Sequence, residues 1–122
     1  MSPLSDVFLD KMVAVTYKLH MFRLIQSDTY KEWFERLRDP IADKQIRKRL
    51  ARMIFGHFGD AKSLGDGLYE LRFKIGPGYR IYYTQVGQDI LVLLSGGDKG
   101  SQSRDIERAR EIRKDYLDGQ DG

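Results

Sequence analysis

The sequence lacks several residue types on which common active sites depend. It contains no cysteine, which excludes a disulfide framework, a thiol nucleophile and a cysteine-based metal site. Its two histidines, His20 and His57, are too few for a metal cage of several imidazoles. Asp6, Asp10 and Lys11 interrupt the N-terminal stretch, which therefore indicates neither a signal peptide nor a membrane span. We expect a cytoplasmic protein that uses no metal or other cofactor and contacts no membrane.

What is present predicts one folded domain with an anionic partner. The chain has 122 residues, of which 41% are apolar and 11% aromatic, enough to form a hydrophobic core. Its net charge is only +3, but the basic residues are clustered, because residues 44–52 contain five Lys or Arg and no acid. Clustering of positive charge suits a phosphate-rich partner such as nucleic acid.

Strand and helix signals alternate along the chain. We expect an extension at residues 1–16, a domain at 17–117 and a frayed tail at 118–122. The predicted elements are, in order, a strand at 17–26, a helix capped by Ser27-Asp28, a second helix at 41–55 that starts after Asp39-Pro40, a glycine-rich loop at 56–67, a hairpin at 68–83, an apolar strand at 90–94 covered on both sides, and a last helix capped by Ser101 or Ser103.

The hairpin, LYELRFKIGPGYRIYY, is the most informative segment. Apolar and polar side chains alternate on both sides of Gly76-Pro77-Gly78, as in two strands with one buried face. The other face then carries Glu70, Arg72, Lys74, Arg80, Tyr82 and Thr84. A register that keeps this alternation places Lys74 near Arg80 and Arg72 near Tyr82. Three cations and a phenol on one rigid surface predict a phosphate-binding site.

The order of elements, β-α-α-β-β-β-α, predicts an α+β fold. We expect a curved antiparallel sheet with the helices packed on one face. The opposite face, which carries the cations of the hairpin, is then left open for binding.

Four segments in this order resemble the RelE/ParE superfamily of toxin–antitoxin toxins, and most closely its addiction module killer proteins, which are similar to HigB-type toxins. The matching segments are WFERLRDPIADKQIRKRL (33–50), GHFGDAKSLGDGLYELRF (56–73), GPGYRIYY (76–83) and LLSGGDKGSQSRDIERA (93–109). The resemblance implies a RelE-like fold and a toxin that cleaves mRNA on the ribosome. It also implies a cognate antitoxin, of the helix-turn-helix type, with operator DNA contacted only through the toxin–antitoxin complex.

Two other functions stay open within this superfamily. One is a ParE-like inhibitor of DNA gyrase with no nuclease activity. The other is a degenerate member that retains only antitoxin binding. Sharing a fold does not establish an activity.

Cleavage of RNA without a metal uses the 2′-OH of the substrate as the nucleophile against the adjacent phosphate. Fixed cations that stabilise the charge developing on the phosphoryl oxygens supply the largest effect, and guanidinium groups match those oxygens in two-point geometry. We therefore predict Arg72 and Arg80 as a phosphate clamp. The further candidates are Lys99 as a cation or proton donor, Tyr82 as a base-stacking group or proton donor, Lys74 as a backbone contact, and Glu70 or Asp98 as the general base.

Some of these charges also have a structural explanation. Glu70 can simply pair with Arg72 or Arg80 across the sheet. The second helix has Lys44, Lys48 and Arg52 on one face, flanked by Arg47, and this face is either solvated surface or a site that binds ribosomal RNA.

Overall fold

A computed structural model describes residues 21–121. The predicted extension at 1–16 and the predicted start of the first strand at 17–20 lie outside the described residues. The elements are β1 Arg23–Gln26, α1 Asp28–Arg36, α2 Pro40–Met53, β2 Ala61–Gly65, β3 Leu68–Arg72, β4 Arg80–Val86, β5 Ile90–Gly97, a 3-10 turn at Lys99–Ser101, and α3 Gln102–Asp121. Within this part of the chain, the strands form a five-stranded sheet in the order β1-β5-β4-β3-β2.

The starts of the first two helices agree with the sequence signals. The hydroxyl of Ser27 accepts a hydrogen bond from the Tyr30 amide at 3.1 Å and donates one to the Leu94 carbonyl at 2.7 Å. The Asp39 carboxylate accepts a hydrogen bond from the Ala42 amide at 3.1 Å, and Pro40 begins α2. These side chains bind backbone groups that would otherwise lack partners in the first helical turn.

The α+β class is confirmed, but the prediction that all helices lie on one face is wrong. Residues of α1 and α2 pack with Leu91 and Leu93 of β5 in one buried cluster. The alternate residues of β5, Val92 and Leu94, pack in a second cluster with Ala109 of α3. A strand that is apolar on both sides exposes hydrophobic surface unless both faces are covered, and α3 covers the second face.

Two features of the sheet differ from the sequence expectation. Residues 61–65, predicted as loop, form β2. Buried and exposed side chains alternate only weakly along this strand, and its position depends on antiparallel pairing with β3. β1 pairs with β5 in parallel, so the sheet is mixed rather than wholly antiparallel. Both differences concern edge strands, where pairing partners decide the structure more than local pattern does.

The last helix also begins and ends elsewhere than expected. Asp98 caps the 3-10 turn that leads into α3, in place of Ser101 or Ser103, and the helix continues through the predicted tail to Asp121. None of the described helices is long and apolar enough to cross a membrane.

Candidate phosphate-binding site

The register of β3 and β4 brings the two predicted clamp residues directly opposite each other. Arg72 pairs with Arg80, and Glu70 pairs with Tyr82. The predicted pairs, Lys74 with Arg80 and Arg72 with Tyr82, are therefore wrong by two positions. The reason is that β3 ends at Arg72 and the connection spans residues 73–79, instead of the three-residue turn that the sequence suggested. A shift of two residues keeps the same side chains on the same face.

Arg72, Arg80 and Glu70 form a compact charged group beside α3. The Oε1 atom of Glu70 lies 3.9 Å from Arg72 Nε and 3.9 Å from Arg80 Nη1. The Glu70 side chain is 3% exposed and that of Arg80 is 13% exposed, whereas that of Arg72 is 39% exposed. The clamp thus has one sheltered guanidinium and one that is open to solvent.

Three residues outside the sequence predictions adjoin this group. Asp60 Oδ1 accepts a hydrogen bond from Arg72 Nη2 at 3.1 Å, and Gln102 Nε2 donates to Glu70 Oε2 at 3.2 Å. A third, the exposed Lys62, is the strand partner of Glu70 on β2. The sequence carried little signal for any of them, because β2 was not recognised and Gln102 meets Glu70 from 32 positions away.

The two arginines line a cleft of about 340 Å³ that is open to solvent. The residues around it are Asp60, Arg72, Phe73, Lys74, Gly78 and Arg80. Lys74 is exposed there, and its contact with an RNA backbone stays a prediction. The exposed Lys99 lies next to Gly78, which is one of the residues that line the cleft. Three cations therefore line the cleft, and a fourth basic residue adjoins it.

Two buried polar atoms at this site, Arg72 Nε and Arg80 Nε, have no hydrogen-bond partner among the described residues. Buried donors are normally paired in folded proteins. These two Nε–H groups are enclosed in the protein, so a phosphate diester would be bound by the other N–H groups of the guanidinium groups that line the cleft.

The Tyr82 side chain does not occupy the position that base stacking requires. Tyr82 is fully buried beneath α3, in the cluster with Ala109, so its ring has no free face for a base. Burial, followed by the nearby Glu70 carboxylate, raises the pKa of Tyr82 above its ordinary value. The stacking prediction is therefore wrong.

Asp98 is committed to holding the start of α3. Its Oδ1 atom accepts hydrogen bonds from the amides of Gly100 at 2.8 Å and Ser101 at 3.1 Å. The Ser101 hydroxyl in turn accepts a hydrogen bond from the Asp98 amide at 3.2 Å, which completes a capping box. This arrangement fixes the backbone that carries Lys99.

The basic residues of α2 fall into two groups. Lys44, Arg47, Lys48 and Arg52 are exposed on the helix, which packs on the sheet face opposite Glu70. Arg47 binds Asp43 at 2.6 Å and lies over the Phe34 ring at 4.9 Å. Arg49 instead turns inward, donates to the Arg72 carbonyl at 3.0 Å and stacks on Phe73, and its burial lowers its pKa. Arg49 therefore supports the end of β3.

The described residues contain no group of three or more His, Asp or Glu side chains arranged to hold a metal ion. The site is thus built from guanidinium and ammonium groups, with Glu70 and Asp60 as counter-charges. Such a site can bind an anion and stabilise further negative charge on it.

Comparisons with known proteins agree with this fold. No family model matches the chain. The chain is similar in structure to a double arginine-to-alanine variant of the E. coli toxin RelE in the free state, with a TM-score of 0.56, 17% sequence identity, and coverage of 72% of this chain and 97% of that one. At this identity the likeness shows a RelE-like fold, whereas the HigB-like subgroup stays a prediction.

A curated relative shows the family. An uncharacterized protein of Haemophilus influenzae is 39% identical over 87 residues, which cover 71% of this chain and 88% of the relative. The chain has a RelE-like fold and belongs to the same family as this Haemophilus influenzae protein.

Proposed function

We propose that the protein is the toxin of a type II toxin–antitoxin system and cleaves mRNA on the ribosome. One observation carries this proposal: Arg72 and Arg80 lie directly opposite each other on paired strands and line one open cleft together with Lys74. The similarity of the fold to a toxin, RelE, supports the same function class. HigB-type toxins remain the subgroup that the sequence motifs resemble most.

In the proposed reaction the 2′-oxygen of one nucleotide attacks its own 3′-phosphorus. The new bond closes a 2′,3′-cyclic phosphate, and the bond to the 5′-oxygen of the next nucleotide breaks. The 2′-OH loses its proton to a water molecule, and the departing 5′-oxygen gains one to become a hydroxyl. Arg72 and Arg80 bind the non-bridging oxygens, where charge increases, and Lys99, which adjoins the cleft, is the candidate proton donor.

Electrostatic stabilisation is expected to dominate over base catalysis at this site. Fixed donors aimed at developing charge contribute about 10²–10³-fold each, and a positioned base about 10²–10⁴-fold. Both carboxylates that the sequence suggested as bases are already engaged, Glu70 with Gln102 and Asp98 with the cap. We therefore propose that the ribosome contributes by holding the 2′-OH in line with the phosphate.

The proposed partners are the ribosome with its mRNA and a cognate antitoxin. The exposed stripe of Lys44, Arg47, Lys48 and Arg52 is the proposed contact with ribosomal RNA, and Lys74 the proposed contact with the mRNA backbone. The antitoxin, of helix-turn-helix type, would block the cationic cleft or entry into the ribosome. Operator DNA would be bound only through that complex.

The test is a comparison of two purified targets. A defined mRNA is incubated with the protein, with and without programmed ribosomes, and its new 5′ ends are mapped by primer extension. In parallel, supercoiling by DNA gyrase is assayed with the same preparation. We expect cuts only in the presence of ribosomes and normal supercoiling. Inhibited supercoiling without any cut would replace the proposal with a ParE-like gyrase inhibitor.

A further inference from the structure

The Glu70 carboxylate is held in an unusual position between two kinds of partner. One oxygen, Oε2, accepts a hydrogen bond from Gln102 Nε2 at 3.2 Å. The other oxygen, Oε1, is 3.9 Å from a nitrogen of each clamp arginine. Gln102 is the first residue of α3, so this contact joins the helix to β3.

The distance of 3.9 Å is informative because it is too long for a direct hydrogen bond. Charge-assisted N–H···O bonds are about 2.7–2.9 Å long. Glu70 therefore offsets the positive charge of Arg72 and Arg80 without occupying their N–H groups. Like charges directly opposite each other on paired strands destabilise a sheet, and here a carboxylate oxygen lies 3.9 Å from a nitrogen of each arginine.

Glu70 is poorly placed to be a general base. Its side chain is 3% exposed, and one of its oxygens already accepts the Gln102 amide. A base must come within hydrogen-bond reach of the proton that it removes. The 2′-OH of a bound strand would have to pass the two arginines to reach this carboxylate.

We propose that Gln102 and Glu70 are positioning residues, which hold Arg72 and Arg80 apart and keep their N–H groups available to a phosphate diester of RNA. This inference rests on the proposed function, because it explains how the arginines of the same cleft keep N–H groups free of Glu70 until RNA binds. Without the Gln102 amide, the carboxylate is free to rotate onto one arginine and form a short ion pair. The paired guanidinium can then no longer bind the ligand.

Other charged and titratable groups lie near Glu70. β4 contributes Tyr82 and Arg80, β2 contributes the exposed Lys62, and the pKa of Tyr82 is raised by burial, by Glu70 itself and by the nearby Asp105 of α3. Asp60 acts through its ion pair with Arg72. Tyr82 also interacts with this carboxylate, but it is fully buried in the cluster with Ala109, so Gln102, which donates from the first turn of α3, is the position at which to test the inference.

The first test measures binding rather than cleavage. The probe is a 2′-O-methyl RNA oligonucleotide, which keeps the phosphates and lacks the nucleophilic hydroxyl, and its anisotropy gives Kd. For Gln102→Ala we expect binding about tenfold weaker, because one guanidinium then pairs with Glu70 instead of the phosphate. Gln85→Ala is the matched control, since the Gln85 amide donates to the carbonyls of Gly87 and Gln88 in its own turn. Its Kd should equal that of the wild type.

The second test uses pH, which a merely structural role would not affect. In Gln102→Glu two carboxylates meet, and they repel each other when both are ionised. At lower pH the pair shares one proton, and its O–H replaces the amide as the donor. Binding by Gln102→Glu should therefore recover as the pH falls from about 8 to about 5, relative to the wild type and to Gln85→Glu.

The outcomes separate this inference from the function on which it rests. If the wild type neither binds the probe nor cleaves mRNA, the proposed function and this inference both fall. The positioning role alone is overturned under two conditions, given that the wild type binds the probe. A folded Gln102→Ala protein binds it equally well, and Gln102→Glu does not regain binding at low pH. Weak binding by Gln102→Ala together with recovery in Gln102→Glu supports it.

Discussion

At the scale of single residues, the site depends on how much solvent each charged group retains. Arg80 is 13% exposed and Glu70 is 3% exposed, so their interaction is screened less than that of an exposed pair. Arg72 is 39% exposed and also binds Asp60 at the surface. A ligand phosphate would reach Arg72 first and would meet Arg80 in a less polar environment, where its charge is stabilised more strongly.

Asp98 provides a test that separates a capping role from a catalytic one. Asparagine caps helices about as well as aspartate but cannot act as a base, whereas alanine does neither. We expect Asp98→Asn to retain both stability and cleavage, and Asp98→Ala to lose about 1 kcal/mol of unfolding free energy. Urea denaturation and ribosome-dependent cleavage measure the two properties. A stable Asp98→Asn protein that fails to cleave would restore Asp98 as the general base.

Sequence reasoning placed Arg72 and Arg80 on one face because side chains alternate strictly along a strand. It did not predict their direct pairing, because the register depends on the length of the connecting loop. That loop spans residues 73–79 and includes Gly76 and Gly78 with φ of 53° and 81°, whereas the sequence suggested a turn of three residues. Sequence reasoning also placed Tyr82 on an open face of the sheet. Its burial depends on α3, which joins this face from a distant part of the chain.

At the scale of elements, local signals located the first two helices well and the edge strands poorly. Ser27 and Asp39 are caps whose partners lie three residues away, so the sequence alone indicates them. β2 has no such signal, because its position depends on pairing with β3. The apolar run from Ile90 to Leu94 could have predicted where α3 packs. A strand that is apolar on both sides needs both of its faces covered, and α3 covers the second one.

The exposed stripe on α2 supports a prediction about ribosome binding. We expect the triple variant Lys44→Ala, Lys48→Ala, Arg52→Ala to bind ribosomes more weakly than the wild type. The slope of log K against log salt concentration should fall by roughly one unit for each phosphate that the variant no longer binds. Co-sedimentation with ribosomes over a series of salt concentrations measures both. The physical reason is that each lysine or arginine bound to a phosphate releases a counterion.

A charge-matched control distinguishes this stripe from general electrostatic attraction. Lys31, Arg36 and Arg38 are exposed basic residues of α1 and the segment after it. Their triple alanine variant removes the same amount of charge and should keep the wild-type salt slope. Equal behaviour of the two variants would mean that the stripe is ordinary solvated surface.

At the scale of the whole molecule, the fold gathers site residues that are far apart in the chain. Asp60 precedes β2, Arg72 and Arg80 end and begin neighbouring strands, and Lys99 and Gln102 stand where β5 turns into α3. All of them meet at one end of the sheet. A structure similar to RelE at 17% identity shows that the framework tolerates extensive substitution, so the chemistry must be argued from these side chains.

The most direct measurement is the single-turnover rate of mRNA cleavage on programmed ribosomes by Arg80→Ala. Loss of one fixed charge at the phosphate should lower the rate by about 10²–10³-fold. Urea denaturation shows whether the variant is folded. The matched control is Arg23→Ala, which removes an exposed arginine of β1 at the far edge of the sheet and should leave the cleavage rate unchanged. A folded Arg80→Ala protein that cleaves as fast as the wild type would contradict the assignment of this cleft as the active site.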